Sequence, residues 1–590
     1  MKSATSALGT VIALCAAAVL AGCGGGGGAG SPQSLSGPLP PRATSQPQIT
    51  GGPVGYLQSN GPLTSSGSIA GGSQNAIVAV MSSASQSGKS FSLDSLNVST
   101  AGSSGSSRFA WSTRRSVAAP RVVHGEAFAA DDSELLNKLS QHAVYGSRPM
   151  GRVHTMSGTL PQQPVVGSTA DIWVQQGANT TYSTQVPSTL VAQTAHGNIW
   201  LDDTLLHTDA QAGAAQIAAD FENAYASDTQ HFASPDYPAS APGLQANYQT
   251  CDSSGGVTGS GPAYIDEPAD RRINVMVVNP NDLGGYGGYF SGANLMNQSA
   301  LNCLNGNGTN YQSNQAPFIF VGWFDSQGGN YELQEDLVRG TAHEFQHLIN
   351  FVNHAILAAG ASTPGFNGNE SAYINEGLSM LAQDLAVQRL YGAQGVKFDV
   401  DDAMSRASAY LAAPGNFSIT AFTGIDGYSY GGGGTPQYNC FGGCYGGAYL
   451  FQRYLRDRFG GDSYTHAMET SGSVGEQNLG YVTGESAGSL LDDFALAMAA
   501  DTLGVQPTSS RFAFGSLGLT QTYTDQFGAS KSPGGVYAVP INGSSSTVQA
   551  PVGGFTFVSV GSVPSAGLPV SVTDRQSVSG FSLAGGLAEH

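Results

Sequence analysis

Charge is scarce in this 590-residue chain, where Asp, Glu, Lys and Arg together make up 11% of the residues. Basic residues are scarcer still, 22 Lys and Arg against 41 Asp and Glu, for a formal net charge of −19. That balance argues against nucleic acid as a partner and against anionic lipid surfaces, since both demand basic patches. No apolar run near the N-terminus is long enough for a membrane span. Val11–Leu20 falls well short of the roughly 20 apolar residues a span needs. There is no internal repeat. Cysteine is sparse, at six residues, and the spacings match no structural zinc motif. Glycine is what abounds, at 81 residues. With so little charge, that suits an exported, loop-rich protein with many tight turns.

The N-terminus carries the export signal. Lys2 is the only charge in residues 1–22, and Val11–Leu20 is the apolar core. Leu20-Ala21-Gly22-Cys23 resembles a bacterial lipobox, which implies cleavage before Cys23 and lipid attached to that cysteine. The alternative is a plain signal peptide followed by a stray cysteine. The glycine run after Cys23 favours the lipoprotein reading, and Gly24 in place of Asp fits an outer-membrane or cell-surface destination. Residues 23–72 are rich in Gly, Ser and Pro and read as a flexible tether. The membrane is then met only through the N-terminal lipid. Cys15 leaves with the signal, so Cys251, Cys303, Cys440 and Cys444 remain for disulfides in an oxidising compartment. Four cysteines allow three pairings. Cys251–Cys303 with Cys440–Cys444 is preferred, because the second pair flanks a Phe-Gly-Gly turn.

The rest of the chain divides by pattern into a β-rich stretch with a connector (73–165), a central domain (166–510) and a small C-terminal β-rich domain (511–590). The first stretch predicts a helix over Asp132–His142. Its His124, His142 and His154 have no ligand spacing. In the central domain, strands are expected at Ala170–Val174 and Asn198–Leu201, then a helix at Gln211–Tyr225. The continuous apolar run Ile273–Val278 has the length of a buried strand. Gly284–Phe290 reads as a glycine-tyrosine turn. Pro317–Phe324 is the strongest strand signal, either a core strand or a sheet edge that pairs with an extended peptide. Helices are expected at Tyr445–Phe459 and Ser486–Ala500. The fold class expected is α+β, a mixed sheet with helices, flanked by small β-rich N- and C-terminal domains.

The chemistry concentrates in residues 331–351. His343-Glu344-Phe345-Gln346-His347 is an HExxH: two histidines one helical turn apart, able to reach one ion from the same face. Neutral imidazole suits zinc, and Glu344 is placed to act as general base toward a metal-bound water. The alternative is an ordinary helix with two satisfied histidines. A second amphipathic helix, Glu370–Tyr391, follows with Asn369 as N-cap. It carries Asn375-Glu376-Gly377. Glu376 supplies the third ligand that a catalytic zinc needs, or else is a solvated helix glutamate. The amide of Asn375 is suited to orient a ligand histidine.

HExxH followed by a helix with NEG is the pattern of the gluzincin metallopeptidases. AHEFQHLINF, YINEGLS and YGGAYLFQRYLRDRFG together resemble the hyicolysin family of zinc peptidases, over roughly residues 190–500. The resemblance implies a zincin-type core, one zinc per chain held by His343, His347 and Glu376, and a protein or peptide substrate. It also implies a downstream oxyanion donor. Tyr445, in Tyr445-Gly446-Gly447-Ala448, is the first choice, with a helix-packing role as its alternative and Tyr428, Tyr430 and His466 as rival donors. Two departures stand out. Met380 replaces the acid that orients a ligand histidine in thermolysin-like enzymes. Asp266-Glu-Pro-Ala-Asp270 departs from the family's DxDGDG-like turn, which weighs against calcium. A GxMEN segment is absent, so an endopeptidase is expected over an aminopeptidase. A noncatalytic surface-binding lipoprotein is the rival class, and the intact Glu344 and ligands speak against it. Oligomeric state has no signature here.

Overall fold

The computed structural model describes strands between residues 54 and 100, parts of 135–143, and 160–589 with internal breaks, the longest at 324–332, 359–369 and 425–441. The signal segment, Cys23, Asn369, Tyr428, Tyr430 and Cys440 lie outside the described residues. The fold is mixed α+β.

Its centre is a six-stranded mixed sheet. The strands are β1 (Thr169–Gln175), β2 (Ser183–Gln193), β3 (Gly197–Asp202), β4 (Ile273–Val278), β5 (Gly288–Phe290) and β6 (Phe318–Gly322), in the order β5-β6-β4-β3-β2-β1. Neighbours β3, β4 and β6 run parallel, while β5 is antiparallel to β6 at one edge. Parallel strands are covered on both faces, so they read as continuous apolar runs, and β4 is buried at every position. The two-residue period still sorts the faces. Ile199, Val275, Val277, Ile319 and Val321 pack with the helices, and Trp200, Met276, Val278, Phe318 and Phe320 pack on the opposite side.

The structure decides between the two readings of Pro317–Phe324 for the core strand, and it changes the expectation for Gly284–Phe290. Phe318–Gly322 is an interior strand, held between β4 and β5. The edge belongs to Gly288–Phe290, within the segment expected to be a turn. Its backbone pairs with residues 319–321, and that ladder outweighs the local turn preference of the glycines.

The helices lie over the first face. The first, α1 (Ala214–His231), starts after a break at Gly213 that separates it from the short helix Asp209–Ala212. The motif helix α2 (Leu333–Phe351) seats Phe345 between Phe221 and Tyr225 of α1, at ring-centroid distances of 5.8 and 5.2 Å. Burying such a ring stabilises by roughly 1.5–3 kcal/mol. Six further residues, Val352–Leu357, continue α2 as a π-helical turn. Next come α3 (Ala372–Tyr391, with Ser371 at the N-cap position), α4 (Ala403–Ala412), α5 (Gly443–Arg458), α6 (Asp462–Thr470) and α7 (Ala487–Leu503, capped by Ser486).

A buried ionic network ties four of these helices together. Arg339 of α2 pairs with Asp399 at 2.9 Å, and Gln383 of α3 donates to Asp399 and Asp402 at 2.6 and 2.8 Å. Asp402 pairs with Arg406 of α4, and Arg453 of α5 pairs with Asp384 of α3 at 2.8 Å. Removing one partner from such a buried pair leaves an uncompensated charge, at a cost of about 3–5 kcal/mol.

The β-rich ends of the chain are not separate flanking domains. Ala76–Ala84 lies between Phe581–Glu589 and Phe555–Val560 in one five-stranded sheet, and Leu568–Asp574 lies between Thr64–Ile69 and Leu96–Thr100 in another. Strands at Val54–Tyr56, Gln58–Ser59 and Thr64–Ile69 also place part of the expected tether inside these sheets. The physical reason is pairing across the chain: ladders to the C-terminal strands supply what the Gly/Ser-rich sequence lacks locally. Helix α7 packs on the first of these sheets, with Phe494 edge-on to Phe555 at 6.0 Å.

Cys251 and Cys303 form the preferred disulfide, with a Cα–Cα distance of 5.1 Å. Cys444 is buried and disulfide-bonded. Its expected partner, Cys440, is outside the described residues.

The approach of α3 to α5 depends on Gly377. A Cβ there would meet the Ala448 carbonyl oxygen at 2.8 Å and Gln452 Cγ at 2.7 Å. Gly377→Ala is therefore expected to force the helices apart and destabilise by roughly 1–3 kcal/mol. Urea unfolding checks this, and an unchanged midpoint would show that the contact yields freely.

Candidate metal centre

The site is built where α2 and α3 face each other. Helical spacing puts His343 and His347 on one side of α2, with ring centroids 4.9 Å apart. Glu376 enters from α3. Its Oε2 lies 3.2 Å from His343 Nε2 and 3.6 Å from His347 Nε2. All three residues are buried, and their ligand atoms lie within 4.8 Å of one another. Among the described residues this is the group of three side chains that could hold a metal ion.

The donor set fits such an ion. Ligands bound tetrahedrally at about 2.05 Å sit roughly 3.3 Å from one another, close to the two Glu376 distances above. Glu376 Oε1 is buried without a hydrogen-bond partner, an expensive state for a carboxylate oxygen that a bound cation relieves.

Asn375 and Ser379 hold the second histidine. Asn375 Oδ1 and Ser379 Oγ each lie 3.0 Å from His347 Nδ1. Ser379 Oγ also donates to Gln346 Oε1. The role expected for Asn375 thus has a geometric counterpart. Ser379 was missed, although it sits one turn after Asn375 on the same side of α3. Met380 is buried among apolar neighbours. Arg406 of α4 acts electrostatically on His343 from beyond the ligand set.

Glu344 is buried beside the ligands, under the edge strand. A Cβ at Gly288 would lie 3.2 Å from Glu344 Oε1 and 2.7 Å from the Phe320 carbonyl oxygen. Only glycine lets β5 cross at this height, which explains the residue that made the segment look like a turn. The Phe290 backbone N–H bonds to the Glu344 carboxyl group. Tyr445 of α5 is fully buried, its ring 6.3 Å from that of His343, with the Arg406 guanidinium 5.1 Å from its centroid. His466, by contrast, is exposed on α6. Asp270, from the stretch compared with a calcium turn, pairs with Arg272 at 3.0 Å.

Electrostatics divide the cluster. Burial pulls His343 down to about 4, helped by His347 and Arg406. Burial acts in the same direction on His347, but Glu376 and Glu344 override it and raise His347 to about 9. Burial pushes Glu376 upward, and the facing imidazoles outweigh it, holding the carboxyl near 2. Burial raises Glu344 to about 8. In the metal-free protein at pH 7, His347 therefore carries a proton and His343 does not.

A metal ion that uses all three ligands must displace the His347 proton. Its affinity should rise roughly tenfold per pH unit below pH 9 and level off above it, with at least one proton released per ion bound at pH 7. Calorimetry in buffers of different ionisation enthalpy reads this directly. An affinity that stays flat from pH 6 to 8 would contradict it.

No family model and no curated protein matches the chain, so its function is argued from this site.

Proposed function

We propose that the protein is an exported, lipid-anchored zinc endopeptidase of gluzincin type, similar to the hyicolysin family. The observation that carries the reading is the convergence of His343, His347 and Glu376 from two helices, with Glu344 buried beside them. Zinc is the ion this donor set favours: two imidazoles and one carboxylate, with a position left for water. When bound, it would supply an acidified water and polarise a substrate carbonyl.

The chain's own residues divide the remaining work. Glu344 takes a proton at its carboxylate and passes it to the leaving amine. Burial makes Glu344 a strong base for a carboxylate. The Phe290 N–H and Gly288 fix its position under β5. The outer side of β5 is a sheet edge running past the site, where an extended peptide can pair its backbone. Tyr445 is the proposed donor to the oxyanion. Its neighbour Arg406 places a positive charge on the ring face, which strengthens the phenol as a donor.

Glu344→Gln is nearly isosteric and leaves the ligand set intact. It should bind zinc as the wild type does and lose at least ~10²–10⁴-fold in peptide hydrolysis. A casein assay on zinc-loaded protein, with a chelated control, measures the hydrolysis, and elemental analysis measures the zinc. Activity within a few-fold of wild type would remove Glu344 from the mechanism.

A further inference from the structure

We propose that Glu469, two side chains removed from His347, sets which nitrogen of His347 carries hydrogen, acting through Gln346 and Ser379. The inference rests on the metal-centre reading and assigns Glu469 as a positioning residue for that centre.

Glu469 stands near the end of α6 and is fully buried. Its Oε1 accepts from Gln346 Nε2 at 2.8 Å and its Oε2 from Asn350 Nδ2 at 3.0 Å. Gln346 and Asn350 lie one turn apart on α2, so one carboxyl group grips the motif helix at two points. Burial raises Glu469 to about 8, against the pull of the two amides. Above that pH, as a carboxylate, it can only accept, which fixes Gln346 as the donor.

Direction then passes along the chain of contacts. With Nε2 committed to Glu469, Gln346 turns Oε1 the other way, toward Ser379 Oγ. An amide oxygen has no hydrogen, so Ser379 supplies the one between them. Ser379 Oγ is then an acceptor toward His347 Nδ1, 3.0 Å away. Asn375 Oδ1 accepts at the same nitrogen. In the neutral ring Nδ1 must therefore carry the hydrogen, which leaves Nε2, the atom facing Glu376, with its lone pair free for a metal. With Gln346 turned round, its Nε2 would face Ser379, and the serine hydrogen would be shared between the Asn375 carbonyl oxygen, 3.1 Å away, and His347 Nδ1. In the second arrangement the ring hydrogen moves to Nε2 and closes the ligand position.

The sequence gives Glu469 no local signal, and nothing in the proposed chemistry uses it. Two buried amides aimed at one buried carboxyl group are costly unless paired, and here the pairing fixes a polarity as well as a contact.

The test reads the His347 tautomer by long-range ¹⁵N–¹H NMR in metal-free protein at pH 10, where the ring is neutral. It also reads zinc affinity by competition with a chromophoric chelator. Wild type should show essentially only Nδ1–H. Glu469→Leu should show a substantial Nε2–H population and bind zinc at least ~10-fold more weakly. The pair Gln346→Glu with Glu469→Gln keeps an acceptor facing Ser379 and a donor facing residue 346, so it should restore both readouts to within about threefold. If Glu469→Leu fails to fold, Gln346→Leu makes the same cut while sparing the Glu469–Asn350 bond. Wild-type tautomer in the cut variant, or a paired variant no better than the cut one, overturns the proposal. Because the tautomer is read without metal, a wild type that binds no zinc yet shows only Nδ1–H counts against the metal reading alone.

Discussion

A carboxylate buried between two imidazoles governs this structure. Glu376 is almost wholly removed from water, with one oxygen facing two ring nitrogens and the other without a partner. A charge in that position is tolerated only beside positive charge. The proton on His347 provides it in the metal-free protein, and a cation would provide it better. The helices α2 and α3 must hold their spacing for either to work. The ionic network from Arg339 to Arg453, the ring contacts of Phe345 and the close approach at Gly377 all serve that spacing.

The same dependence explains why the parts of the site fall at such different distances in the chain. The ligands come from two adjacent helices. The strand over Glu344 comes from before them, and the charge beside Tyr445 comes from a later helix. Glu469 reaches the motif helix from further on still. Each element is fixed by buried polar contacts whose partners lie on another element. The outer sheets follow the same habit on a larger scale, because strands from the two ends of the chain complete each other.

What could be read from the sequence was what depends on local spacing. His343 and His347 at four residues, and Asn375 and Glu376 on the following helix, were legible because helical geometry decides which side chains share a face. The run Ile273–Val278 was legible as a buried strand because it lies within a parallel ladder covered on both sides. Gly288–Phe290 was not, since its glycines signal a turn and its strand state comes from pairing with β6. The interior place of Phe318–Gly322 follows from that same pairing. Arg406 and Glu469 carry no sequence signal, because folding alone brings them to the site. The shared sheets of the two termini were illegible for the same reason: strands from one end of the chain pair with strands from the other.

The central claim is that these three side chains form one zinc site, and metal content tests it most directly. Purified full-length protein, dialysed against metal-free buffer and assayed by elemental analysis, should retain about one zinc per chain, as expected of a three-ligand site. Glu376→Ala, treated identically and shown to be folded, should retain essentially none. A zinc-free wild type after zinc loading, or a Glu376→Ala protein with undiminished zinc, would contradict the account.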